Sequence, residues 1–212
     1  MAGKLITFEG IDGSGKTTQI NLLEQKLIQE AIPYLILREP GGTKLSEKIR
    51  EILLVRENIN LSSVAESLLF VASRAQLMEE KIKPALNRNQ FVICDRFTDS
   101  TVAYQGYGRG LDIEYLEELN NFGTDRISPD LTIILDVDPE KAALRIKSGI
   151  PDRMESIGME FFFRIQEGYY KIAHRNPHRC VIIDGAQPEN KVFKSVIKEM
   201  SNKLLIKEMS CS

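Results

Sequence analysis

The stretch Gly10-Ile11-Asp12-Gly13-Ser14-Gly15-Lys16-Thr17 decides the reading of this chain. It fits the spacing G-x-x-x-x-G-K-[ST], in which glycines let successive backbone N–H groups curl around phosphate oxygens. Lys16 brings a point charge to the β- and γ-phosphates, and the Thr17 hydroxyl suits Mg²⁺. The N-terminus of the following helix adds its positive dipole end. Context supports the motif. Leu5-Ile6-Thr7-Phe8 is a β-prone apolar run just before it, and Ile20, Leu22, Leu23 and Leu27 recur after it as in a helix. Nucleotide phosphate is therefore expected on Gly10 to Thr17 and on Thr18 beside them. The loop alone does not separate a kinase from a GTPase or a motor.

Outward from this loop, short apolar runs alternate with helical patterns. Tyr34-Leu35-Ile36-Leu37, Phe91-Val92-Ile93-Cys94, Leu131-Thr132-Ile133-Ile134-Leu135 and Cys180-Val181-Ile182-Ile183 are further strand candidates. They lack polar/apolar alternation, so they read as buried on both faces of a parallel sheet. Leu45, Ile49, Ile52 and Leu53 share a helical stripe. Ser63-Val64-Ala65-Glu66 has the form of a capping box opening a long helix to Leu86. Asp138-Pro139 is an N-cap followed by proline at N1, and Glu189 to Leu205 reads as a closing helix. The sum is an α/β fold: a doubly wound, five-stranded parallel sheet flanked by helices. At 212 residues, one domain spanning 1–212 is expected.

Composition narrows the function. With 28 Lys+Arg against 30 Asp+Glu the net charge is −2, so no diffuse positive field exists to hold a nucleic-acid polymer. Three scattered cysteines, no C-x-x-C and two histidines argue against a Cys/His zinc site and for a reduced compartment. Met1-Ala2-Gly3-Lys4 runs straight into the first strand without the apolar core of a signal peptide, and no run approaches membrane-span length. The expectation is a cytoplasmic protein with no membrane partner.

The second chemical signal is Phe91-Val92-Ile93-Cys94-Asp95-Arg96. An apolar strand ending in aspartate suits the acidic partner of a phosphate loop, close to Mg²⁺. The adjoining Arg96 adds a cation where ligands bind in such sheets. Arg38 follows the second strand, beside Gly41-Gly42, and can reach back to a phosphate. Phe70 and Arg74 are four apart on one helix face, an aromatic and a cation able to read a flat base. Gln105 offers a donor and an acceptor together.

These residues lie in motifs that resemble thymidylate kinases, of the P-loop nucleoside monophosphate kinase group. The motifs are Phe8-Glu9-Gly10-Ile11-Asp12-Gly13, Arg38-Glu39-Pro40-Gly41-Gly42-Thr43, Leu69-Phe70-Val71-Ala72-Ser73-Arg74 and Asp95-Arg96-Phe97-x-x-Ser100-x-x-Ala103-Tyr104-Gln105. Pro129-Asp130-Leu131-Thr132 and Asp152-Arg153-Met154-Glu155 complete the set, in order, over almost the whole chain. The resemblance implies transfer of the γ-phosphate of ATP to dTMP, giving dTDP and ADP. It further implies that Arg38, Arg50 and Arg96 surround the monophosphate and that Phe70 stacks on thymine. Arg74 then bonds the carbonyl edge, Gln105 the imide edge, and Thr101 faces the pyrimidine. Tyr104 packs on the deoxyribose and Asp12 holds its 3′-hydroxyl. Lys16, Arg96, Arg153 and Asp95 are the implied catalytic set, with Thr17 and Asp95 holding Mg²⁺, helped by Glu39. A homodimer is implied too, through helices near Leu61–Leu86.

The segment from Arg145 to Glu155 is broken by Gly149 and Pro151 and flanked by cations, as in a short lid over transferring phosphate. Positions 11–14 carry no cation, so the chain is similar to the bacterial type that supplies arginine from the lid. Arg153 leads there, with Arg145 and Lys147 behind it. Backbone groups near Ala186-Gln187 are the candidates for adenine. Two other functions remain open from the residues: another nucleoside monophosphate or deoxynucleoside kinase, and a non-catalytic nucleotide-binding module. A deoxynucleoside kinase needs a general base, which Glu9 or Glu39 could supply. A guanine-reading switch lacks its N-K-x-D run.

Overall fold

A computed structural model describes residues 3–54, 61–146 and 157–204. Its elements in chain order are β1 (Lys4–Glu9), α1 (Lys16–Gln29), β2 (Tyr34–Arg38), α2 (Lys44–Leu54), α3 (Ser63–Leu77), α4 (Lys83–Asn87) and β3 (Phe91–Asp95). Then follow α5 (Thr98–Thr101), α6 (Ile113–Gly123), β4 (Leu131–Asp136), α7 (Pro139–Arg145), α8 (Met159–Arg175), β5 (Cys180–Asp184) and α9 (Glu189–Leu204). All strand pairs are parallel, in the order β2-β3-β1-β4-β5. The doubly wound five-stranded sheet read from the apolar runs is therefore the one observed.

The central strands β1, β3 and β4 are buried along almost their whole length because both faces are covered, whereas the edge strands β2 and β5 are only partly buried. Ile6 and Phe8 of β1, with Ile93 and Ile133, meet Leu23 and Leu27 of α1 and Val196 of α9 on one side. Leu5, Val92 and Cys94 meet Leu77, Met78 and Ile82 on the other. A third cluster joins Tyr104, Phe161, Ile165 and Tyr169, fixing α8 against the segment after α5. On α8, Phe161 is buried while Phe163, two residues on, is 42% exposed, so only one face of the helix joins the core.

Helix starts follow local chemistry. Asp138 Oδ1 accepts from the N–H groups of Glu140 and Lys141, with Pro139 at the first helical position. The start of α3 departs from the capping-box expectation. Ser62, not Ser63, caps it, its Oγ accepting from Ala65 N at 3.2 Å. Glu66 does not fold back to the cap; it turns inward. The helix expected to run unbroken to Leu86 passes through a π-helical turn at Met78–Ile82 before α4. A second π-helical segment, Val102–Gly108, follows α5 and carries Tyr104 and Gln105. Lys147, Arg153 and most of the expected lid lie outside the described residues.

Candidate active site

The chain leaves β3 at one side of β1 and reaches β4 on the other, so a crevice opens at the carboxyl ends of the central strands. The glycine loop sits there. Gly10 and Gly13 have φ of +130° and +78°, and a Cβ on them would fall 2.5 Å from Leu135 O and 2.3 Å from Ala142 O. Only glycine fits both positions. Gly15, also left-handed, precedes α1 with no side-chain cap, so the first N–H groups of α1 stay open to an anion.

Lys16 is buried and donates to the carbonyls of Gly10 and Ile11, each at 3.1 Å. Burial, with Arg96 nearby, lowers its pKa below the usual lysine value. Thr17 Oγ1 lies 3.4 Å from Asp95 Oδ2, so the loop and the end of β3 meet as expected. Thr18 also lines the crevice, a cleft of about 550 Å³.

Arg96 adopts φ +71°, a left-handed conformation uncommon outside glycine. It is held there on several sides. Its backbone N–H donates to Phe8 O, and the next N–H, of Phe97, donates to Glu9 Oε1 at 2.7 Å. Its guanidinium reaches Gly10 O at 2.9 Å, Ser100 Oγ at 3.2 Å and Asp12 Oδ1 at 2.7 Å, and lies over the Tyr104 ring. Glu9 is wholly buried and also accepts from the hydroxyls of Ser100 and Tyr169. Burial, with Asp99 beside it, raises its pKa. For Asp12, burial acts upward, but Arg96 and Lys16 prevail and hold it down to about 2.

A second chamber continues from the cleft, lined by Phe70, Phe97, Thr101, Tyr104 and Gln105. Asp12, Glu39, Arg50 and Arg96 line both spaces and mark their junction. Arg50, on α2, lines this junction and donates to Pro40 O at 2.9 Å. Arg38 lies at the cleft, exposed, leaning on Glu47 at 3.1 Å. The Tyr104 hydroxyl and Glu39 Oε1 are buried there without a hydrogen-bond partner among the described residues. Both groups keep hydrogen-bonding capacity directed at this junction.

Arg74, expected at the base, is a hub of buried contacts. It is buried and donates through Nε to Glu39, Nη1 to Asn120, and Nη2 to Phe97 O and Thr101 Oγ1. Four of its five N–H donors are thus used, and at most one remains for a base. Nothing local in the sequence announces this hub, because the partners lie 23 to 46 residues away. A second missed network sits beneath the Asp95-Arg96 turn. Asp99 is gripped by both terminal nitrogens of Arg179, at 2.6 and 2.8 Å, and by Thr132.

At the far end of the cleft, Arg145 donates to Gly185 O at 3.0 Å, and Gly185 and Gln187 line the space. The Ala186 N–H donates to Asp184 Oδ1 at 2.9 Å.

A glycine loop ending in lysine after the central strand, an aspartate on the neighbouring strand and a base-sized side chamber define a P-loop kinase of nucleoside phosphates. The family model for thymidylate kinase matches residues 8–196. The thymidylate kinase of Caldanaerobacter subterraneus subsp. tengcongensis is 48% identical over 204 residues, covering 96% of this chain and 98% of the relative. That of Chlorobaculum tepidum is 46% identical over 206 residues, covering 92% and 96%. The crystal structure of thymidylate kinase from Ehrlichia chaffeensis superposes with a TM-score of 0.77 at 41% identity, covering 94% of this chain and 99% of that one. The chain belongs to the thymidylate kinase family.

Proposed function

We propose that this enzyme transfers the γ-phosphate of ATP to dTMP, with the phosphate loop as donor site and the Phe70–Tyr104–Gln105 chamber as acceptor site. The observation that carries this reading is the junction: Asp12, Arg50 and Arg96 border both spaces at once. An oxygen of the dTMP phosphate attacks the γ-phosphorus in line. Its bond forms as the bond to the β–γ bridging oxygen breaks, and ADP leaves. The attacking oxygen is already an anion, so no general base is needed, and catalysis is positioning plus charge stabilisation.

Gly10 to Thr18 cradle the donor phosphates, and Lys16 neutralises charge on the transferring group. Arg96, with Arg50 and Arg38, holds the acceptor phosphate; Arg96 meets developing charge as well. Arg153, in a lid over about 145–155 of the single domain 1–212, contributes a further cation. Phe70 stacks on thymine, with Arg74, Thr101 and Gln105 around the ring, Tyr104 under the sugar and Asp12 at its 3′-hydroxyl. Thr17 and Asp95, oxygen donors 3.4 Å apart, fit Mg²⁺ that keeps water and phosphate oxygens as its other ligands. Such an ion shields phosphate charge when bound.

A homodimer is part of the proposal. Val64 and Leu68 of α3, with Tyr115 and Phe122 of α6, are apolar and between 49% and 87% exposed, which supports a partner on that face. Buried free thiols at Cys94 and Cys180 fit a reducing cytoplasm. No helix among the described residues is long and apolar enough to cross a membrane.

Coupled ADP release with dTMP, dUMP, UMP, CMP and thymidine tests the reading. The expected order puts dTMP first. Equal rates with all acceptors would remove the specificity claim, and no turnover with any would favour a binding module.

A further inference from the structure

We infer that Glu66 sets base selectivity by locking the orientation of the Gln105 amide. Glu66 sits in the first turn of α3 and Gln105 in the π-helical segment, both essentially inaccessible to water. Gln105 Nε2 donates to Glu66 Oε1 at 2.8 Å. On its outer side Glu66 is gripped by Arg109, through Nη2 at 3.1 Å and Nε at 3.4 Å.

A glutamine amide turned by half a rotation presents the opposite hydrogen-bond pattern at nearly the same shape. A free Gln105 could thus suit either of two base edges. A carboxylate paired with an arginine has only acceptors to offer, so the amide nitrogen must face it. The Gln105 Oε1 is then committed as the acceptor of the chamber, with the second N–H beside it. That pattern matches an imide edge, where a ring N–H lies next to a carbonyl. It opposes an amino-pyrimidine edge on both counts: the ring nitrogen is an acceptor there, and the exocyclic group a donor. Buried mismatches of this kind discriminate far better than shape alone.

This inference rests on the proposed acceptor site, and it is distinct from it: Gln105 lines the chamber and Glu66 stands behind it. It is a positioning residue. Glu66 is turned toward Gln105 and Arg109, and the cap of α3 is made by Ser62.

The test measures kcat/KM for dTMP and for dCMP, with ATP KM and melting temperature alongside, in the wild type and in Glu66→Gln. The neutral amide of the variant offers both donor and acceptor, so Gln105 can turn. The dTMP-to-dCMP ratio should fall roughly tenfold or more, through dTMP KM and dCMP turnover, with ATP KM unchanged. An unchanged ratio, or equal losses on both acceptors, would overturn the inference. Should Glu66→Gln fail to fold, Glu66→Asp keeps the charge opposite Arg109 but withdraws it from Gln105. The same fall is then expected, and the same constancy overturns it. A wild type that does not prefer dTMP would instead overturn the acceptor-site reading itself.

Discussion

Arg96 Nη2 and Asp12 Oδ1 lie 2.7 Å apart, the cation at the end of β3 clasping the carboxylate inside the glycine loop. The pair joins the two chemical signals of the sequence, 84 residues apart. Each partner lines both the cleft and the side chamber. The guanidinium is therefore aimed before any substrate arrives.

Arg96→Lys keeps the charge and loses the fork. One ammonium cannot reach Gly10 O, Ser100 and Asp12 together while lying over the Tyr104 ring. The expected result is a fall in kcat of roughly 100-fold, as for other lost transition-state contacts, with thermal melting little changed. Steady-state kinetics with saturating ATP and dTMP measures it; wild-type kcat would remove Arg96 from the catalytic set.

Lys16→Met separates catalysis from stability. The ammonium is buried, and desolvation, with Arg96 nearby, lowers its pKa. Methionine keeps length and removes the charge. Turnover should drop by at least about 100-fold while the melting temperature holds or rises. Calorimetric melting beside the ADP-release assay reads both, and a clear loss of melting temperature would show that Lys16 is a structural ion partner.

Gly13→Ala should act through the backbone. The new Cβ would meet Ala142 O at 2.3 Å, and the φ of +78° is strained for any side chain. A loss of about 1–3 kcal/mol is expected, together with weakened ATP binding because the loop must shift away from α7. Denaturant unfolding and nucleotide titration measure the two effects. Unchanged values in both would mean that the loop accommodates a side chain.

Much of this architecture is legible in the sequence because its signals are local. β1 reads as Leu5 to Phe8, the phosphate loop as eight consecutive residues, and α7 as Asp138-Pro139. What escapes is contact between distant segments. Glu66 satisfies a capping pattern within four residues, yet burial beside Gln105 and Arg109 overrides it. Arg179 carries no motif, but it neutralises Asp99 across 80 residues. The π-helical turns that aim Gln105 and Tyr104 have no sequence signature of their own, since neither glycine nor proline need mark them.

The proposed lid cation is Arg153, with Arg145 and Lys147 behind it, and paired variants separate the two arginines. Arg153→Ala should cut kcat by roughly 100-fold, as expected for a cation that meets the transferring phosphate. Arg145 instead holds the carbonyls of Gly185 and Gly13, so Arg145→Ala should raise the KM for ATP with a smaller effect on kcat. If the kcat loss falls on Arg145→Ala alone, the phosphate contact belongs to Arg145.

The pH dependence of stability follows from two carboxyls with opposite shifts. Burial pushes Glu39 up to about 7, with the Glu9 charge adding to it, although Arg74 bonds its other oxygen at 2.7 Å. A raised acid holds its proton in the folded state where the unfolded chain has lost it. Its contribution is therefore complete below about 4.5 and declines as pH rises through about 7. Asp12 has the reverse sign: held down to about 2, it stabilises above 3.8 and loses that contribution as pH falls toward 2. Urea unfolding of the substrate-free enzyme should thus show Glu39→Gln flattening the decline between pH 4.5 and 7. Asp12→Asn should leave that window alone and reduce the acid-side loss. A Glu39→Gln profile parallel to the wild type across the window would place the buried proton elsewhere, on Glu9, whose carboxyl is also raised.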